Sequence, residues 1–234
     1  LKAVCNFAIS KDILQASPCT KVFGPSFASR ARVLSADELR TVWSAFGRQS
    51  SPDGLSVSRS VGLAVRLAAT TLQRRAEITG IRKAEIDRAA KTWLIPGERA
   101  KNHRDHMVPL SDLAMSIIAQ AWELSGDSDF LFPSPRSSDG EDRPITPAAM
   151  SHAWRRMAKA TSLADTRPHD LRRTGATEMT KEALGVPRFA VSLVLNHASD
   201  LGGGAAVTAV YARYDYLDTK RDALNKWARR LEEI

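Results

Sequence analysis

A mainly α-helical domain with one small antiparallel β-sheet (α+β) is the fold this sequence predicts. Three observations predict it. Apolar residues recur at helical spacing, behind recognisable cap residues, through most of the chain. Two short β-prone runs, Thr92–Ile95 and His106–Val108, flank one polar tip, which is the pattern of a hairpin. Hydrophobic residues are 43% of the 234, enough for a sizeable core. No apolar run approaches the roughly 20 residues that span a bilayer.

Each element has its own signal. Residues 1–16 suit a short helix with Val4, Phe7, Ala8 and Leu14 on one face. A Gly/Pro/Ser-rich stretch then runs to Ser29 and has linker composition. Residues 1–32 therefore read as the tail of a preceding domain plus a connector, and 33–234 as the main domain. The absence of Met at Leu1 agrees with a piece of a longer chain. Ser35 and Glu38 form a capping box before a stripe of Leu39, Val42, Trp43 and Phe46, closed by Gly47. A helix from about Ser58 to Leu72 is apolar on most sides, hence interior.

Gly80 closes the turn after it. Thr92–Ile95 stops at Pro96-Gly97, and the basic tip Glu98–Asp105 leads into the second run. Ile86 offers a third strand. Ser111 caps a helix with stripe Leu113, Ile117, Ala121 and Leu124. Residues 125–144 are a long polar loop. Thr146-Pro147 supplies a cap and a first-turn proline for the helix carrying Met150, Ala153, Trp154 and Met157. Pro168 opens a helix that ends near Gly185, Pro187–Asn196 is helical, and Val207–Ile234 carries the stripe Ala223, Leu224, Trp227 and Leu231.

Composition narrows the partner. A formal net charge of +8 favours a polyanion, nucleic acid ahead of a membrane surface. Cys5 and Cys19 make neither a disulfide framework nor a metal cluster, which fits a reducing, intracellular setting.

The chemistry gathers around Arg167–Thr177. His169 and Arg172, three residues apart, lie on one side of a helix and offer an imidazole and a guanidinium fork to one small anion. Arg74 ends the interior helix, Lys101 sits on the hairpin tip, His197 closes a helix, and Tyr211 lies beyond Gly202–Gly204. Two arginines can clamp the oxygens of one phosphodiester and stabilise the charge that grows there. A lysine can protonate a leaving alkoxide, and a tyrosine hydroxyl can attack phosphorus once cations favour its phenolate. Other residues have plainer readings. Arg75 reads as a structural or DNA-facing neighbour, Arg173 as a structural ion pair, Glu77 as an orienter of cations. His103 and His106 read as a solvated hairpin, His152 as surface, and Trp227 as core packing. Arg155, Arg156 and Lys159 form a basic face open to solvent or phosphate contact.

From Leu34 to the C-terminus these stretches resemble the catalytic domain of a tyrosine recombinase, in the phage-integrase branch of prophages and genomic islands. Leu67–Ile78 resembles the first-arginine motif; alignment on Glu77 selects Arg74, and Leu72 stands where the family usually has Gly. Lys101–Ser111 resembles the lysine hairpin. His169–Thr174 matches the His-x-Leu-Arg-Arg-Thr box. Leu195-Asn196-His197 resembles Leu-Gly-His. Val210-Tyr211-Ala212-Arg213 fits the nucleophile, ahead of Tyr214 and Tyr216.

The resemblance implies site-specific strand exchange through a 3′-phosphotyrosine, with Arg74, Lys101, His169, Arg172, His197 and Tyr211 as the catalytic set. It implies neither cofactor nor metal. It implies double-stranded attachment-site DNA as partner, a homotetramer on DNA and a monomer alone, accessory excision or DNA-bending proteins, no membrane, and a bacterial cytoplasmic, nucleoid-associated location. Residues 1–32 become the tail of a core-binding domain. Strand relaxation of the type IB topoisomerase kind, or DNA binding without catalysis, are the rival readings.

Overall fold

The computed structural model describes residues 2–19, 31–47, 57–135, 140–197 and 216–234. The chain divides into two compact units, Leu1–Ala31 and Arg32–Ile234. In the first, α1 (Lys2–Ser10) buries Cys5. Its Sγ lies 3.9 Å from that of Cys19, and both are free thiols. Val4 and Phe7 are exposed.

The second unit holds, in order, α2 (Ala36–Gly47), α3 (Arg59–Thr71), the short α4 (Arg75–Thr79), a 3-10 turn (Lys83–Glu85), β1 (Ile86–Asp87), β2 (Thr92–Ile95), β3 (His106–Pro109), α5 (Asp112–Ser125), α6 (Pro147–Ala160), α7 (Pro168–Thr180), α8 (Arg188–Val194) and α9 (Leu217–Glu233). The cap signals act as their chemistry demands. Glu38 N–H donates to Ser35 Oγ at 3.2 Å while Ser35 N–H donates to Glu38 Oε2 at 2.8 Å. Ser58, Ser111 and Thr146 each accept from the third residue of the helix that follows.

Helix α3 is the hub. It packs against α2, α5, α6, α7 and α9, and its apolar side chains are buried on nearly every side. Gly62 lets α2 come close, since a Cβ there would lie 2.6 Å from the Phe46 carbonyl. Trp227 of α9 is fully buried and donates its indole N–H to the Ala69 carbonyl at 2.8 Å. The C-terminal helix thus closes onto its own core. The three strands form one antiparallel sheet in the order β1-β2-β3, with Trp93 opposite both Ile86 and Val108.

Three expectations are corrected. Leu124 is 47% exposed, and Ala114 and Ile118 fill α5's inner face instead. Helix α7 stops at Thr180, because Lys181 turns to extended backbone (ψ 153); Gly185, at φ +57, reverses the chain one turn later. His106 is not solvated but buried in β3. Among the described residues, no helix is long and apolar enough to cross a membrane.

Candidate active site

The end of α3 sets the first cation. Leu72 adopts the left-handed conformation (φ 57, ψ 23), its N–H still reaching the Ala68 carbonyl. The chain then runs extended through Arg74 (φ −71, ψ 149) into α4. This break turns Arg74 out of the core. Glu77, 1% exposed, accepts from the Arg74 N–H at 2.7 Å and from its Nη1 at 3.0 Å. One carboxylate therefore starts α4 and fixes the guanidinium.

Helix α7 sets the next two groups. Arg167 is the extended cap residue, Pro168 the first helical residue, and Asp170 accepts from the Arg167 N–H at 2.9 Å. Asp170, the third helical residue, thus satisfies the cap backbone; Thr166 accepts from the Trp154 indole at 3.0 Å. Arg173 pairs with the same Asp170 at 3.3 Å, the structural role read for it. Arg172 points inward and is 5% exposed. Its Nη1 donates to the Leu72 carbonyl and its Nη2 to the Leu195 carbonyl. Burial, then the nearby Arg74 charge, push its pKa down to about 9, with Glu77 opposing. It stays charged at neutral pH, and two neutral carbonyls only partly repay the lost water. His169 presents an accessible edge, yet surrounding protein withholds water from it. That desolvation, then Arg172 and Arg173, hold its imidazole below the ordinary value, so it is neutral at pH 7.

The sheet sets the fourth. Lys101 sits at the exposed tip between β2 and β3. Next to it, Asn102 Nδ2 donates to Asn196 Oδ1 at 2.6 Å. His106, behind the tip, lies 3.3 Å through Nε2 from the Val194 carbonyl. Burial, then Lys220, push its pKa down to about 3.

Arg74, Lys101, His169 and Arg172 line a single cavity of about 300 Å³ at the junction of α3, α4, the hairpin and α7. The structure brings these four together. His197 lines a neighbouring cavity of about 360 Å³ with Arg173 and Arg188, two residues beyond the carbonyl that holds Arg172. Tyr211 and Tyr214 lie outside the described residues. Tyr216, at the start of α9, packs edge-on against Phe189 with ring centroids 5.3 Å apart. A third cavity, about 740 Å³, adjoins the first through Arg75, Pro168 and His169 and continues past Arg155, Lys159 and Arg167. The whole face is cationic. Glu77 and Asp170 answer it from within, and both are already engaged, with Arg74 and Arg173 respectively.

Three residues escaped the reading of motifs. Gln73 is 3% exposed, lines the four-residue cavity, and leaves its Oε1 without a hydrogen bond. Asn102 and Asn196 meet across 94 positions. The left-handed requirement at 196 (φ 49) could have been suspected from Asn, but its partner could not.

Comparison with known proteins gives one answer. The model of the phage integrase family matches residues 32–216. Prophage integrase IntA of Escherichia coli (strain K12) is 32% identical over 173 residues, which are 74% of this chain and 39% of that protein. The chain thus spans about two-fifths of that relative's length. A lambda integrase(75-356) dimer bound to a COC′ core site superposes with a TM-score of 0.61 at 19% identity, over 83% of this chain and 68% of that one. A lambda integrase tetramer bound to a Holliday junction gives 0.59 at 19% identity, over 83% and 55%. At that identity the likeness is one of fold.

Proposed function

Because the chain belongs to the phage integrase family, we propose that it cuts and rejoins DNA strands at specific sites, integrating or excising a mobile element. The observation that carries this reading is one cavity lined by Arg74, Lys101, His169 and Arg172. Three cations and one imidazole uncharged at neutral pH suit a dianionic, phosphorane-like transition state.

In the proposed reaction the Tyr211 hydroxyl attacks phosphorus. The bond from phosphorus to the tyrosine oxygen forms and the bond to the 5′-oxygen breaks. Arg74 and Arg172 hold the non-bridging oxygens. His169 takes the phenol proton, and Lys101 gives a proton to the departing 5′-oxygen. His197 donates a hydrogen bond to the phosphate. A 5′-hydroxyl from a partner strand then reverses each transfer. One phosphodiester is exchanged for another, so the scheme draws on neither ATP nor metal. The cationic face through Arg75, Arg155, Lys159 and Arg167 would carry the flanking phosphates.

The proposal extends to assembly and setting. Double-stranded attachment sites are the substrate, and a homotetramer is the working unit; the lambda tetramer on a Holliday junction supports this by likeness of fold. Accessory excision or DNA-bending proteins, a bacterial nucleoid location, and a core-binding-domain tail at residues 1–32 belong to the same reading.

The test is covalent capture. The chain is incubated with a pool of nicked, random-sequence duplexes and resolved on a denaturing gel. A protein–DNA adduct that disappears in Tyr211→Phe is expected. An adduct persisting in that variant would reassign the nucleophile, and no adduct would overturn strand cleavage. Relaxation of supercoiled plasmid without recombinant products would indicate a topoisomerase instead.

A further inference from the structure

We infer that the Asn102–Asn196 side-chain pair is a positioning device for Lys101, holding the proton donor at the cavity rim before DNA arrives. The inference rests on the strand-cleavage reading above and adds residues outside the set named there.

A lysine on a hairpin tip has a long stem and an exposed backbone, so left alone it samples many positions. Here the backbone on both sides of Lys101 is tied down. One residue later, Asn102 Nδ2 donates to Asn196 Oδ1 at 2.6 Å, and Asn196 Nδ2 approaches Asn102 Oδ1 at 3.4 Å. Two residues earlier, Arg99 donates to the Glu77 carbonyl at 3.4 Å and pairs with the Glu85 carboxylate. Gly80 leaves room for that guanidinium, since a Cβ there would stand 2.9 Å from Arg99 Nη1. Within the tip, the Gly97 N–H donates to Asp105 at 2.7 Å and the His103 N–H to the Ala100 carbonyl at 3.0 Å.

These anchors lead back to the cavity. Glu77 is the carboxylate that fixes Arg74. Asn196 directly follows Leu195, whose carbonyl holds Arg172. The tip is therefore registered against both arginines, so the Lys101 ammonium is aimed at the atoms that share their phosphate. Asn196 is also held at φ 49, where glycine would be the less strained choice. Its amide is what the chain gains by keeping a side chain there.

The test separates aim from fold. Asn196→Gly suits the left-handed backbone and removes only the amide. Two suicide duplexes of the sequence captured by the unsubstituted chain are compared, one with the ordinary 5′-oxygen and one with a 5′-bridging sulfur. A thiolate leaves without a proton, so cleavage of the sulfur duplex does not depend on Lys101. Asn196→Gly should cleave the oxygen duplex about tenfold more slowly, part of the roughly 10²–10⁴ that a general acid supplies. It should cleave the sulfur duplex at the unsubstituted rate. Asn102→Ala should behave likewise, and the double variant should be no slower than either. Equal slowing on both duplexes, or none on either, would overturn the positioning role. Failure of the unsubstituted chain to capture any duplex would instead bring down strand cleavage itself, and the tether with it.

Discussion

Leu72 fills the space that a side chain on Gly175 would need. A Cβ at 175 would lie 2.4 Å from Leu72 Cδ2 and 3.1 Å from its Cγ. Leu72 is fully buried and stands in the left-handed conformation at the end of α3, where its carbonyl accepts from Arg172. A left-handed non-glycine residue costs about 1–2 kcal/mol. Burying a leucine side chain contributes roughly 1.5–3 kcal/mol, so packing against bare α7 backbone offsets the strain. This is how the chain tolerates Leu where the family it resembles usually has Gly.

That pairing makes the first prediction. Gly175→Ala should destabilise the fold by about 1–3 kcal/mol through overpacking. Leu72→Gly should destabilise the fold as well, since a fully buried side chain is lost, but the double variant should cost less than the sum of the two, because the overlap is then gone. Urea unfolding of the four-member cycle measures the coupling; strictly additive effects would mean that the two sites do not share the space.

In the proposed reaction Arg172 holds the phosphate, and its buried position comes at a cost to stability. Its charge is buried against two carbonyls, and its pKa is already pushed down to about 9. Arg172→Met should keep or raise the melting temperature while lowering adduct formation by about 10²–10³, the size of losing a fixed transition-state donor. A variant that unfolds would show that the guanidinium bridge between Leu72 and Leu195 holds the domain together.

His106 supplies a pH signature. Its folded pKa, about 3, lies below the ordinary 6.5 of an unfolded imidazole. The unfolded chain therefore binds the extra proton first, and stability falls as pH drops through 6.5 towards 3. The slope approaches ~1.4 kcal/mol per pH unit. His106→Gln should be the less acid-sensitive protein between pH 6.5 and 5, by about 1–2 kcal/mol in denaturant titrations. Parallel curves would place the acid sensitivity elsewhere.

In the proposed reaction His169 should govern activity in the same range. Burial and the arginines around it lower its pKa, so it remains a free base at pH values where an ordinary imidazole is charged. The acid limb of the cleavage profile should lie below 6.5 and disappear in His169→Gln. Arg173→Gln should move it upward by removing one of the flanking charges. A limb at or above the ordinary imidazole value would remove His169 from the proton transfer.

Much of this was legible in the sequence, for reasons that are local. Ser35 with Glu38, Ser111, and Thr146 with Pro147 satisfy orphan N–H groups within one turn, so their chemistry announces a helix wherever it folds. The interior character of α3 is written in its own composition. What was not legible depends on partners far along the chain. The pattern of α5 admits Leu124 on its inner stripe, yet the neighbours leave that position open to water. His106 looks solvated beside His103 until the strand register turns it inward. Asn102 and Asn196 carry no signal alone, because the hydrogen bond exists only once the hairpin and the end of α8 meet. The site's cations were readable as types; their convergence is a property of the packing around α3.

In the proposed reaction Arg74, Lys101, His169 and Arg172 serve one phosphate. Orthovanadate, a mimic of the five-coordinate phosphoryl centre, tests it most directly when soaked into crystals of the chain. One vanadate within hydrogen-bonding distance of Arg74 and Arg172, with His169 and Lys101 turned towards it, is the predicted result. Vanadate bound on another face, with this cavity left unoccupied at saturating concentration, would contradict the claim.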